Sequence, residues 1–266
     1  MGRTGVTNLR CEYQEQPLGL DTERPRFSWW MDDGRPGAAQ TAYRIEVSTD
    51  AGFNQATMVW DSGDVVSSQS VLVPYDGPPP AARTRYWYRV RLRDHAEEWF
   101  DWSSPAWFET AMLDRTWQAE WIGPPDDGEA GGAPPYLRKE FDLSGTVAAA
   151  RLYVAARGLA EISLNGIRVG DDVLSPGWTD FTRRAQYLTY DVTDLVSAGV
   201  NAIGVILGDG WYSGRIARVH DGPRCFGARP QLLCELHLSG TSGETTVVRS
   251  DGSWMWRTGP IIASDI

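Results

Sequence analysis

Two short stretches hold the residue types best suited to chemistry. In "SPGWTDF" Trp178 stands two positions before Asp180, and in "LGDGWYSGR" Asp209, Trp211 and Tyr212 are followed by Arg215. A saccharide is recognised by an aromatic face laid against the C–H side of its ring, with polar groups spaced for neighbouring hydroxyls. Each stretch offers both ingredients. Phe181, in the same loop as Trp178, is a further surface candidate. The same residues also suit a plainer arrangement, in which the indoles plug a sheet edge and the aspartates cap turns.

Other chemistries find less support. Glycosidic cleavage needs two carboxyl groups held ~5–9.5 Å apart, one with a raised pKa. Asp171, Asp172, Asp180, Asp191 and Asp194 supply carboxyls, but in segments where acids are usually solvated. His95, His220 and His237 are scattered without the partners of a nucleophilic triad or a zinc site. "GDGWYSG" lacks the lysine and the following helix of a phosphate loop. Loop aspartates with backbone carbonyls can coordinate calcium, which makes Asp180 a metal candidate, although no EF-hand pattern is present. Cys11, Cys225 and Cys234 form an odd set without metal-ligand spacing and read as small buried thiols.

The elements that must position these residues are strands. In "AYRIEVST" Tyr43, Ile45 and Val47 alternate with Arg44, Glu46 and Ser48. In "RYWYRVRLRD" Tyr86, Tyr88, Val90 and Leu92 alternate with Trp87, Arg89, Arg91 and Arg93. A period of two belongs to a half-buried antiparallel strand. Turn signals such as "DDGRPG" and "YDGPPP" separate the runs, and "WSSPAWFET" reads as the last strand of a first module over residues 1–115. Residues 116–135 read as a linker, ending in the Pro- and Gly-rich "PPDDGEAGGAPP". Residues 136–266 are again strand-rich. "AEISLNGIRVG" predicts a hairpin on Asn165-Gly166, with Leu164 opposite Ile167 and Ile162 opposite Val169, all four on one side. Tyr187 and Tyr190 fall on opposite sides of their strand, Tyr190 toward the core. One helical turn at "VTDLVSAG" has Thr193 as its cap and Gly199 as its terminator. The fold class is therefore all-β: two tandem sandwiches, the first immunoglobulin- or fibronectin III-like, the second jelly-roll-like.

Composition narrows the partners. A chain of 266 residues can bury a real core and suggests about two domains. The net charge of −10 argues against nucleic acid, and the basic residues, with Lys139 the only lysine, form no evident stripe. No apolar run approaches the ~20 residues of a membrane span. The start, "MGRTGVTNLRCEY", lacks the apolar segment of a secretory signal, so a cytoplasmic protein is expected. Thirteen tryptophans are unusual, and many stand among polar residues.

From "GLAEISLNGIRVGDDVLSPGWTDFTRRAQYLTYDVTDLVSAGVNAIGVILGDGWYSGR" the second module resembles the amino-terminal domain of bacterial α-L-rhamnosidases of glycoside hydrolase family 78. "LRCEYQEQPLGLDTERPRFSWWM", "VWDSGDV" and "YWYRVRLRD" resemble the fibronectin-like module that opens those enzymes. The resemblance implies a parent that removes terminal α-L-rhamnose with inversion, using glutamates in a large helical barrel. No such helices are present, so it implies a non-catalytic front portion, truncated toward "GPIIASDI". It also implies two partners, an L-rhamnose-containing glycan or glycoside and the missing catalytic domain. Related modules bind rhamnose, some with calcium, and Asp180 is the matching acid. It is followed by Phe181 rather than by a second polar ligand. The alternative is a module that docks on the barrel without binding sugar.

Overall fold

The computed structural model describes residues 3–113, 116–125, 132–214 and 226–264. The chain divides into two compact units, Met1–Thr116 and Trp117–Ile266. Each is built from mainly antiparallel sheets laid over a core of its own, as the alternation predicts. No described helix is long and apolar enough to cross a membrane.

The first unit contains β1 (Arg3–Cys11), β2 (Leu18–Leu20), β3 (Arg26–Asp33), β4 (Gln40–Ser48), β5 (Met58–Asp61), β6 (Val65–Val66), β7 (Val73–Pro74), β8 (Arg85–Asp94) and β9 (Ala106–Thr110). One sheet runs β1-β3-β7 and the other β2-β9-β8-β4-β5, with β6 also on β4. Tyr43, Ile45 and Val47 from β4 meet Tyr86, Tyr88, Val90 and Leu92 from β8 in one core, closed from the opposite sheet by Phe27 and Trp29. The Phe27 and Tyr88 rings stack at 4.5 Å. Trp29 is fully buried, and its Nε1 donates to Gln40 Oε1 at 2.8 Å, which satisfies the indole N–H.

The other face of β8 corrects two sequence expectations. Arg85, Arg89, Arg91 and Arg93 do form a stripe, because they alternate with the buried residues of one strand. It is not a free basic surface. Arg85 stacks on Trp107 at 4.0 Å, Arg89 on Trp102 at 4.5 Å, and Arg91 on Trp99 at 4.7 Å and Trp102 at 4.9 Å. Glu109, Glu46, Asp64 and Glu97 pair with the four guanidinium groups in turn. Secondly, "WSSPAWFET" is strand only from Ala106. The preceding residues fold back as a loop whose indoles lie on those arginines.

The second unit contains β10 (Pro135–Leu143), β11 (Val147–Arg157), β12 (Leu159–Leu164), β13 (Ile167–Arg168), β14 (Tyr187–Asp191), β15 (Gly199–Gly208), β16 (Gln231–Gly240), β17 (Thr245–Arg249) and β18 (Met255–Thr258). The sheets run β13-β12-β15-β10-β18 and β14-β11-β16-β17, with the core between them. Of the segment 116–135 expected as a linker, residues 117–122 lie on this unit. Ile122 and Leu232 exchange backbone hydrogen bonds of 2.9 and 2.8 Å, and Glu120 N donates to Ser250 O at 2.8 Å.

The hairpin has the predicted register, Leu164 opposite Ile167, with Asn165 and Gly166 at φ 53° and 82°. Ile162, Leu164 and Val169 are buried, but Ile167 is 55% exposed, because β13 is the sheet's edge. The helical turn at Thr193–Leu195 is a 3-10 turn without a side-chain cap. Thr193 Oγ1 instead accepts from Ala150 N and donates to Asp191 Oδ1. Gly199, at φ 88°, opens β15 rather than closing a helix.

Candidate functional site

The loop between β13 and β14 is held at several points. A side chain at Gly170 would stand 2.5 Å from the Tyr190 ring, so only glycine lets that ring pack there. Tyr190 is partly buried against the core. Burial, then its bond to Asp172, pushes its hydroxyl above the usual tyrosine range. That hydroxyl donates to Asp172 Oδ2 at 2.9 Å, and Arg168 Nη2 donates to the Asp172 carbonyl at 2.6 Å. Ala160 N donates to Ser175 O at 2.9 Å, tying the loop to β12.

Beyond this anchor Trp178 is 58% exposed, next to a buried Thr179 whose hydroxyl donates to Arg184 O at 2.7 Å. Asp180 builds the turn that follows. Its Oδ1 accepts from Thr182 N at 3.1 Å and Thr182 Oγ1 at 2.5 Å, and Arg183 lies 3.5 Å from Oδ2. A calcium ion asks for six to eight oxygen ligands. Around Asp180 there is a guanidinium instead, and the described residues hold no group of three acids, histidines or cysteines placed for a metal.

The second predicted set divides. Asp209 is 4% exposed and turned inward, its carboxylate accepting from Ser213 Oγ at 3.0 Å and Ser264 Oγ at 3.4 Å. It precedes a single helical turn, α1 (Gly210–Ser213). Trp211 is half-buried. Tyr212 meets Phe181 edge-on at 5.3 Å, and Phe181 meets Phe226 at 5.4 Å. Arg157 spans Tyr212 at 5.9 Å and Trp121 at 4.4 Å. Arg215 lies outside the described residues, as does Cys225; Cys11 and Cys234 are free and buried. The structure thus joins the two stretches through Phe181 and Tyr212, not through their acids.

Sequence reasoning missed a cleft of about 280 Å³ beside this loop, with Glu161, Arg168 and Asp172 among its lining residues. The hairpin register already places Glu161 on the outer face, opposite in direction to Ile162 and Leu164. Nothing local predicts that residues 261–264 return to form a wall.

The comparisons agree with this architecture. Residues 6–114 match the Rha78A-like N-terminal immunoglobulin domain, and residues 145–266 match the α-L-rhamnosidase N-terminal domain. The chain carries the amino-terminal domains of family 78 α-L-rhamnosidases. Its first unit is accordingly an immunoglobulin-like sandwich. An α-L-rhamnosidase of Formosa agariphila is 36% identical over 267 residues, covering 95% of this chain and 28% of that protein. The crystal structure of Streptomyces avermitilis α-L-rhamnosidase complexed with L-rhamnose superimposes with a TM-score of 0.93 at 27% identity, over 98% of this chain and 42% of that one. The enzyme from Dictyoglumus thermophilum gives 0.89 at 32% identity, over 98% and 30%. The rhamnosidase domains described here thus span between 28% and 42% of the curated relatives' length. The Streptomyces alignment runs over 435 positions against the 266 residues of this chain, so that relative holds a long stretch absent here. Its bound sugar therefore assigns nothing to these two units.

Proposed function

We propose that this chain serves, as a non-catalytic front portion, an α-L-rhamnosidase that hydrolyses terminal α-L-rhamnose, and that its second unit contacts rhamnosides through Trp178. The observation that supports the contact is the indole itself, 58% exposed on a loop fixed by Thr179, Asp180 and Asp172. A pre-set aromatic face loses little freedom on binding. Rhamnose lacks the hydroxyl at C6, and its methyl group suits an apolar platform. The Asp180 carboxylate, with about four lone-pair sites, keeps acceptor capacity for a hydroxyl beside its bonds to Thr182. L-Rhamnose at tens of millimolar should raise the melting temperature of this chain, and Trp178→Ala should lessen that rise. An unchanged melting temperature in the parent chain would defeat the sugar contact. The chain alone should not turn over p-nitrophenyl α-L-rhamnoside; turnover would make the cleft acids Glu161 and Asp172 the first suspects.

A second reading has its own support. Val173 is 76% exposed, Leu174 57% and Ile262 84%. Apolar side chains left in water suit packing against another body, here the remainder of a rhamnosidase. Self-association or dye binding without a sugar response would favour docking over recognition.

A further inference from the structure

The outer face of β12 and β15 carries the cleft, and the Trp178 reading gives it no role. Successive side chains point to opposite faces of a strand. With Ile162 and Val205 in the core, Leu159 and Glu161 stand on the outer face, paired across the sheet with Gly208 and Ile206. They form the floor. Loop residues 172–175 are one wall, and Ile261 and Ser264 are the other.

Both walls are tied down before any ligand arrives. Tyr190 and Arg168 hold Asp172, Ala160 holds Ser175, and Ser264 is hydrogen-bonded to the buried Asp209. Glu161 makes no hydrogen bond or ion pair among the described residues, and Arg168 commits one donor to the Asp172 carbonyl. The space therefore has an apolar floor from Leu159 and Ile206, an uncommitted carboxylate acceptor, and a guanidinium with donors to spare. These are the complements of a ring with one C–H face, a methyl group and vicinal hydroxyls.

The geometry points to this cleft as a binding site for a single deoxyhexose unit. For the class of ligand it rests on the proposed rhamnoside contact; the place is new. The deoxyhexose lays its C–H face and methyl on Leu159 and Ile206 and directs its hydroxyls to Glu161 and Arg168. Gly208 sets the depth of the floor. A Cβ there would lie 3.6 Å from Leu159 Cβ and 3.7 Å from Ser264 Cβ, ordinary contact distances, so an alanine methyl is accommodated and further bulk would project into the cleft.

The test titrates L-rhamnose into the whole chain and follows backbone amide chemical shifts. Four variants are compared with the parent: Gly208→Val, Gly208→Ala, Glu161→Gln and Trp178→Ala. Glu161→Gln removes one charge-assisted hydrogen bond and should weaken binding about tenfold. Gly208→Val should abolish it, and Gly208→Ala, the milder filling, should weaken it in a chain that keeps its spectrum. Trp178→Ala should leave the cleft's affinity in place. If rhamnose binds and every cleft variant matches the parent within about twofold, the cleft is not the site. Loss in Trp178→Ala alone would return the contact to the indole. No shift in the parent chain overturns the sugar contact altogether, and this site with it.

Discussion

Glu235 is 1% exposed, and a carboxylate so placed is costly unless it is well satisfied. Here the backbone N–H groups of Gln118 and Ala119 both donate to its Oε1, and His237 Nε2 lies 2.7 Å from Oε2. Glu235→Ala should cost about 2 to 4 kcal/mol, because it leaves two amide donors unpaired. Glu235→Gln, which keeps an acceptor oxygen, should cost clearly less, and urea titration of both variants separates the two effects. In the first unit Arg35 bonds to Asp33 and Asp94 together. Its hydrogen bonds lower the Asp33 carboxyl to about 2 and hold Asp94 below its usual range. Since the folded values are the depressed ones, the unfolded chain binds more protons in acid. The stabilisation is complete above the unfolded value of about 3.9 and is lost as the pH falls toward about 2. Asp33→Asn should flatten that acid limb when urea midpoints are measured across the range.

At the scale of elements, much of the tryptophan that suggested a binding surface is used by β8. Trp102 lies against two guanidinium groups, Arg89 and Arg91, each of them also paired to an acid. Stacking lets planar, weakly hydrated arginines lie side by side on one strand where like charges would otherwise repel. Trp102→Ala should therefore destabilise the first unit by about 2 to 3 kcal/mol, two cation–π contacts plus lost apolar burial, measured by chemical denaturation. The alternation that exposes these arginines was legible in the chain. Their covering by indoles was not, because Trp99 and Trp102 reach them only after a loop turns back across the sheet. The hairpin shows the same limit. Its register follows from a two-residue turn, whereas the exposure of Ile167 depends on no further strand lying beyond β13.

For the molecule as a whole, the residues that join the modules matter more to the second unit than their composition suggests. Trp117 packs edge-on to Tyr187 at 5.6 Å, Ile122 pairs with Leu232, and Glu120 with Ser250. A fragment beginning at Trp117 keeps these contacts and a satisfied Glu235; one beginning at Ala133 loses them. The shorter fragment should melt about 10 °C lower, the shift expected for roughly 3 kcal/mol in a body of this size. Equal melting temperatures would mean that the segment rests on the unit without stabilising it.

Local rules were enough for most strands, the Asn165-Gly166 turn and the all-β class, since alternation and turn chemistry act over a few residues; the resemblance to rhamnosidase front modules rested instead on long sequence motifs. Local rules also reached Trp178, whose exposure the structure bears out. Tertiary structure alone decided that Asp209 turns inward, that Phe181 meets Tyr212, and that Glu161 looks into a cleft walled by residues 261–264. Each of those outcomes depends on which distant segment arrives beside the residue. Pairing across a sheet joins positions far apart in the chain, and no periodicity within one strand records its neighbour.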